Sequence, residues 1–184
     1  MKIISKKEFL NLNARYAFKM SKDKNIQKEA INLLVKADKN YRWVHQNTWM
    51  GEPILNLPQD IIITQEIIFK TKPDYIIETG VAWGGSILFL ASMLKIFGGK
   101  KVIGIDTFLP KTVLNAINKS KSLKRNISLI NGSSTDEKTI KKIEKIINGS
   151  KKILVILDSN HTQDHVLKEL NMYSNFVKKG NYII

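Results

Sequence analysis

Apolar residues recur along this chain with two different periods, and the change from one to the other divides it. Residues 6 to 20 and 25 to 38 carry helical spacing; in the second segment Ile26, Ala30, Leu33, Leu34 and Ala37 fall on one face. Between Tyr41 and Pro58 the pattern breaks into an irregular stretch with Trp43, Trp49, Gly51, Pro53 and Pro58. Its two tryptophans either pack the loop down or wall a ligand pocket. Pro58-Gln59-Asp60 then opens a helix that runs through Phe69 and is ended by Lys72-Pro73.

From Asp74 onward short apolar runs alternate with amphipathic ones. Strands are predicted at 75–78, 101–106, 127–130 and 153–158, the last apolar up to Asp158, as a central parallel strand must be. Helices are predicted between them at 87–97, about 111–121 and 136–147, the last with Thr135 as its cap and Ile140, Ile143, Ile146 and Ile147 on one face. A further helix, 163–178, is stopped by Gly180, and Asn181 to Ile184 begin a fifth strand. Strands and helices alternating at this spacing mean a doubly wound, mostly parallel α/β sheet covered on both faces. Residues 1–58 are expected to form an N-terminal helical cap, and 59–184 a cofactor-binding domain. An apolar strand at the very end leaves a core open, so the chain reads as a fragment whose C-terminal strands are missing.

The first strand feeds Glu78-Thr79-Gly80-Val81-Ala82-Trp83-Gly84-Gly85-Ser86. Glycines let such a turn approach a ligand closely, and Ser86 is placed to cap the following helix, whose N–H groups face the ligand. The spacing is not G-x-G-x-x-G, and Glu78 ahead of the turn would repel a pyrophosphate but hold a cationic or hydroxylated ligand. That argues against a dinucleotide-dependent dehydrogenase. Glu-x-Gly followed by Gly-Gly-Ser resembles the first motif of class I S-adenosylmethionine-dependent methyltransferases.

Composition narrows the picture modestly. At 184 residues, 43% of them hydrophobic, the chain can bury one sizeable core, and it contains no cysteine for disulfides or thiolate metal sites. The N-terminus has charge where a signal peptide would be apolar, and a cytoplasmic location is expected. The net charge of +14 comes from lysines spread along the chain, without an RNA-binding run, so nucleic acid is not the expected partner. The N-terminal helices are candidates for a homo-oligomer contact.

Ligands of open α/β sheets sit at the carboxyl ends of the strands. Polar residues follow the apolar runs there: Glu78 and Gly80, then Asp106, then Ser133-Ser134, then Asp158-Ser159-Asn160-His161. Asp106, twenty-six residues after Gly80, is read as a ligand of two ribose hydroxyls rather than a turn residue. Ser134 is equally an adenine contact or a plain helix N-cap. Asp158 closes the most hydrophobic strand, where an unpaired charge is costly, so it is a functional carboxylate. His161 beside it is a candidate general base, and His165 is read as a structural histidine of the helix.

These motifs together resemble the cephalosporin hydroxylase family, itself similar to rhamnosyl and other sugar O-methyltransferases. The resemblance covers most of residues 41 to 184. It rests on Trp49-Met50-Gly51, Glu78-Thr79-Gly80, Gly84-Gly85-Ser86, Ile103-Gly104-Ile105-Asp106 and Gly132-Ser133-Ser134. Leu157-Asp158-Ser159-x-His161 with His165-Val166-Leu167-x-Glu169-Leu170 is its most specific part. It implies a Rossmann-like class I methyltransferase fold that uses S-adenosylmethionine, often with Mg²⁺. Carried over, Glu78, Gly80, Gly84 and Ser86 would hold the methionine end, Asp106 the ribose and Ser134 the adenine. Asp158 would be a metal ligand, and His161 would stand where related enzymes have a basic lysine. The family's remaining acidic metal ligands lie beyond the fifth strand, past Ile184. The implied activity is O-methylation of a sugar or other hydroxylated small molecule; the alternative is a non-catalytic or truncated binding module of the same fold. Spacing in His161-Thr162-Gln163-Asp164 does not suit an iron hydroxylase.

Overall fold

The computed structural model describes residues 4–184. It contains two compact units, one ending at Trp43 and the other spanning Val44–Ile184. The first consists of α1 (Lys6–Met20) and α2 (Lys24–Tyr41). Ser5 and Glu8 form a reciprocal capping box at the start of α1, and the Asp23 carboxylate accepts from two backbone N–H groups at the start of α2. Neither helix buries a residue. Among the described residues no helix is long and apolar enough to cross a membrane.

The second unit opens with a small hairpin, β1 (Thr48–Trp49) and β2 (Glu52–Pro53), followed by α3 (Pro58–Thr71). Trp49 packs edge-on against Phe89 at 5.0 Å, and its indole N–H donates to Ser92, so this tryptophan packs the loop down. Then come β3 (Tyr75–Thr79), α4 (Gly85–Ile96), β4 (Lys101–Asp106), α5 (Lys111–Lys119), β5 (Ile127–Asn131), α6 (Glu137–Ile147), β6 (Ile153–Leu157) and α7 (Gln163–Tyr173). The four long strands form one parallel sheet in the order β5-β4-β3-β6.

Side chains alternate across each strand and are buried on both faces, which is why these strands are nearly continuous apolar runs. Ile76, Val102, Ile127 and Leu154 belong to a core with Ile68 of α3, Ile87, Leu90 and Leu94 of α4, and Val113 of α5. Ile77, Ile103, Ile105, Ile130 and Val155 meet Ile143 and Ile147 of α6 and Tyr173 of α7 on the other side. The chain winds outward from β3 through β4 to β5, then returns to add β6 on the opposite side of β3. That reversal leaves a crevice at the carboxyl ends of β3 and β6.

The doubly wound sheet is therefore as expected, with local differences. Asp136 rather than Thr135 caps α6, its carboxylate accepting from Lys138 N–H. The helix expected over 163–178 ends at Tyr173 and tightens into a 3₁₀ turn over Ser174–Phe176. The expected fifth strand is reduced to a single parallel bridge, Val155 with Ile183, held by three main-chain hydrogen bonds between residues 182–184 and β6.

Candidate functional site at the strand ends

The turn after β3 is built by backbone conformation. Gly80 has φ +89°, and a Cβ on it would run into the carbonyl oxygen of Asp158. The turn and the end of β6 thus touch through bare backbone. Gly84, at φ +87°, occupies the N-cap of α4 in the left-handed region. It leaves no cap role for Ser86, which corrects the expectation from sequence. The Ser86 hydroxyl instead donates to Glu78 Oε1.

Glu78 explains why. Its side chain, one residue before the end of β3, is 3% exposed, and Oε2 has no hydrogen-bond partner. Burial pushes its carboxyl up to about 8; the Ser86 bond opposes the rise, and the negative charge of Asp158 adds to it. A buried carboxylate with one orphaned oxygen calls for a positive partner.

Asp106, at the end of β4, holds the turn in place. Oδ2 accepts from the backbone N–H of Val81 at 2.9 Å and Ala82 at 3.3 Å, and Oδ1 accepts from Phe108 N–H at 3.0 Å. Three of the carboxylate's four acceptor positions are thus taken, and Oδ1 keeps the fourth for a ligand, so the turn role and the ribose role are compatible.

Ser134 follows β5 and is 5% exposed. With Asp136 as the cap of α6, its hydroxyl serves no helix; it lies 3.1 Å from His165 Nε2. Its carbonyl accepts from the Tyr173 hydroxyl at 3.0 Å. Asp158 donates its backbone N–H to Thr79 O, and its Oδ1 lies 3.3 Å from His161 Nε2. Burial raises the Asp158 carboxyl, and the neighbouring His161 works against that rise. The His161 ring is itself well exposed at 77%.

His165 is more than a helix histidine. It lines a cavity of about 340 Å³ with Gly80, Asp106, Ser134, Asp158 and Ser159. A neighbouring cavity of about 360 Å³ is bordered by Trp83, Ser86, Asp158 and His161. A third, of about 190 Å³, contains Glu78, Ser86 and Asp158. Asp158 lines all three, and Glu78, Gly80, Ser86, Asp106, Ser134 and His161 each border at least one of them; Gly84 borders none. Glu169 and Ser159 were given no role from sequence: Ser159 Oγ donates to Glu169 Oε1 at 2.7 Å, and Glu169 is fully buried. The available signal was the spacing His165, Glu169, Tyr173, one stripe of a helix.

Among the described residues no group of three His, Cys, Asp or Glu could hold a metal ion. Asp158 offers a single carboxylate. That donor fits Mg²⁺ only with water or substrate oxygens as the other ligands, a set this ion accepts.

The sequence model of the rhamnosyl O-methyltransferase/CmcI family matches residues 41–184. Rhamnosyl O-methyltransferases of Mycobacterium tuberculosis (strain ATCC 25618 / H37Rv) and Mycobacterium leprae (strain TN) are 27% and 28% identical over 156 residues. The match takes in 80% of this chain; it spans 62% of the former relative and 66% of the latter. The solved structure "CmcI-N160 apo-structure" superposes with a TM-score of 0.60 at 24% identity, over 76% of this chain and 56% of that one. The structure "cmcI-N160 SAH" gives 0.54 at 22% identity over 75% and 64%. A putative caffeoyl-CoA O-methyltransferase from Staphylococcus aureus gives 0.51 at 14% identity over 91% and 69%. These likenesses agree with the parallel sheet and its crevice, and the match over 41–184 places the chain in the rhamnosyl O-methyltransferase/CmcI family.

Proposed function

We propose that this chain binds S-adenosylmethionine along the crevice and serves an O-methyltransferase acting on a sugar or other hydroxylated small molecule. The observation that carries the reading is Glu78: a fully buried carboxylate with an orphaned oxygen, directly below a glycine turn. The α-ammonium of the methionine end is the cation that position lacks. Asp106 binds the ribose, Ser134 faces the base, and the positive-φ backbones of Gly80 and Gly84 shape the turn beside them. Names of relatives as rhamnosyl O-methyltransferases, and of neighbouring structures as holding SAH or Mg-SAM, support the choice of cofactor and of a sugar-like acceptor.

The cofactor supplies an electrophilic methyl group. The chain's own contribution is to orient the acceptor oxygen and remove its proton. The Asp158 carboxylate accepts from His161 Nε2–H, which leaves Nδ1 as the basic nitrogen for the acceptor hydroxyl. Mg²⁺, held by Asp158, would lower the acceptor hydroxyl's pKa. A second reading is a binding module without catalysis, favoured by the single carboxylate available for a metal. Equilibrium dialysis with methyl-labelled S-adenosylmethionine, followed by incubation with rhamnosides and other polyols plus Mg²⁺, separates the two. Binding followed by label transfer supports the enzyme, and binding without transfer supports the module. Failure to bind rejects both.

A further inference from the structure

Resting on the cofactor reading above, we infer that a stripe of α7 — His165, Glu169 and Tyr173 — is a positioning device that makes Ser134 a hydrogen-bond donor toward the base. The pocket would thereby select adenine over its deaminated counterpart. The three residues are spaced four apart, so they share one face of the helix. That face packs on the segment after β5 and grips Ser134 at two points. Tyr173, fully buried, donates its hydroxyl to the Ser134 carbonyl at 3.0 Å; His165 Nε2 lies 3.1 Å from the Ser134 hydroxyl oxygen.

The direction of these hydrogen bonds follows from their partners. His165 Nε2 is 3.4 Å from Glu169 Oε1, a carboxylate oxygen that can only accept when ionised. Ser159 spends its proton on the same oxygen at 2.7 Å, so its own Oγ, 3.1 Å from Nε2, can only accept from the ring. Both neighbours therefore require the hydrogen on Nε2. A ring nitrogen that carries its hydrogen cannot accept, so the Ser134 hydroxyl cannot donate to it and turns its own proton elsewhere. Ser134 lines the same cavity as Asp106, so a base reaching beyond an Asp106-bound ribose presents an edge to it. Adenine offers an unprotonated ring nitrogen, N1, to a donor at that edge. Hypoxanthine carries a hydrogen on N1, and a donor would face a donor. One mismatch of that kind corresponds to about a tenfold loss of affinity or more.

Calorimetric titration of S-adenosylhomocysteine and S-inosylhomocysteine into the full chain and three variants tests the device. The unsubstituted chain should prefer the adenosyl compound by about tenfold or more. Ser134→Ala and His165→Leu should each reduce that preference to less than about threefold. His165→Gln, which keeps an N–H donor near the Nε2 position, should retain it. A merely structural role for His165 would weaken both ligands equally and leave the ratio intact, and that result overturns the inference. So does an unsubstituted chain that binds both compounds equally. If neither compound binds a chain shown to be folded by circular dichroism, the cofactor reading itself fails and this inference goes with it. A His165→Leu chain that does not fold is replaced by Ser134→Ala, whose ratio decides the matter alone.

Discussion

The most informative perturbation is Glu78→Gln, because it removes a titration that the fold itself has displaced. Burial carries this carboxyl from its ordinary 4.5 to about 8. Between those values the folded chain holds a proton that the unfolded chain has released, so stability falls as pH rises through the window. Above about 8 the full penalty applies, on the order of 5 kcal/mol. For a domain of this size that is a drop in Tm on the order of 10 °C or more. In the absence of ligand, Tm of the unsubstituted chain should fall steeply from pH 5 to 9, while Glu78→Gln shows a shallower slope. Asp158, whose carboxyl is also raised by burial, contributes in the same direction in both proteins, so the difference between the two curves isolates Glu78. S-adenosylhomocysteine brings an ammonium to the ionised form. It should raise Tm of the unsubstituted chain more at pH 8.5 than at pH 5.5, an excess absent from the variant. Differential scanning calorimetry at half-unit pH intervals provides both curves. Parallel slopes for the two proteins would refute the argument that burial and an orphaned oxygen define this site.

Other consequences are simpler. Gly80→Ala forces a side chain into the Asp158 carbonyl at a positive φ, and should cost at least about 2 kcal/mol in urea unfolding. Tyr173→Phe deletes one buried hydroxyl-to-carbonyl hydrogen bond and should lower stability by about 1 kcal/mol, read from the same unfolding midpoints. His161→Ala should leave affinity for S-adenosylhomocysteine within about twofold, since the ring is exposed. It should slow single-turnover methyl transfer by about 10²-fold or more.

Much of this architecture is legible along the chain because buried parallel strands leave long apolar runs. Ile76 to Ile77, Val102 to Ile105 and Ile153 to Leu157 stand out for that reason. The order β5-β4-β3-β6 is not legible in periodicity, since it depends on which strand returns beside β3. Two errors share a physical origin. Ser86 is chemically a good helix cap, but Gly84 takes that place through a left-handed backbone, and the hydroxyl goes to a carboxylate eight residues back in sequence. Thr135 and Asp136 are both good caps, and only the path of the chain selects between them. The partners of His165 are not legible in sequence because Ser134 and Ser159 follow two other strands; only Glu169 is within helical reach. Asp106 illustrates the opposite case: its carboxylate fills the turn role that sequence reasoning ranked second, and does so while leaving an acceptor position free for a ligand.

The central claim is that the crevice at the carboxyl ends of β3 and β6 binds the cofactor, and calorimetric titration of S-adenosylhomocysteine tests it most directly. The account predicts one site per chain, weakened by about tenfold or more in Asp106→Ala, whose carboxylate holds the turn and is proposed to bind the ribose. A folded chain that takes up no S-adenosylhomocysteine, or that binds it equally well with Asp106→Ala, would contradict it.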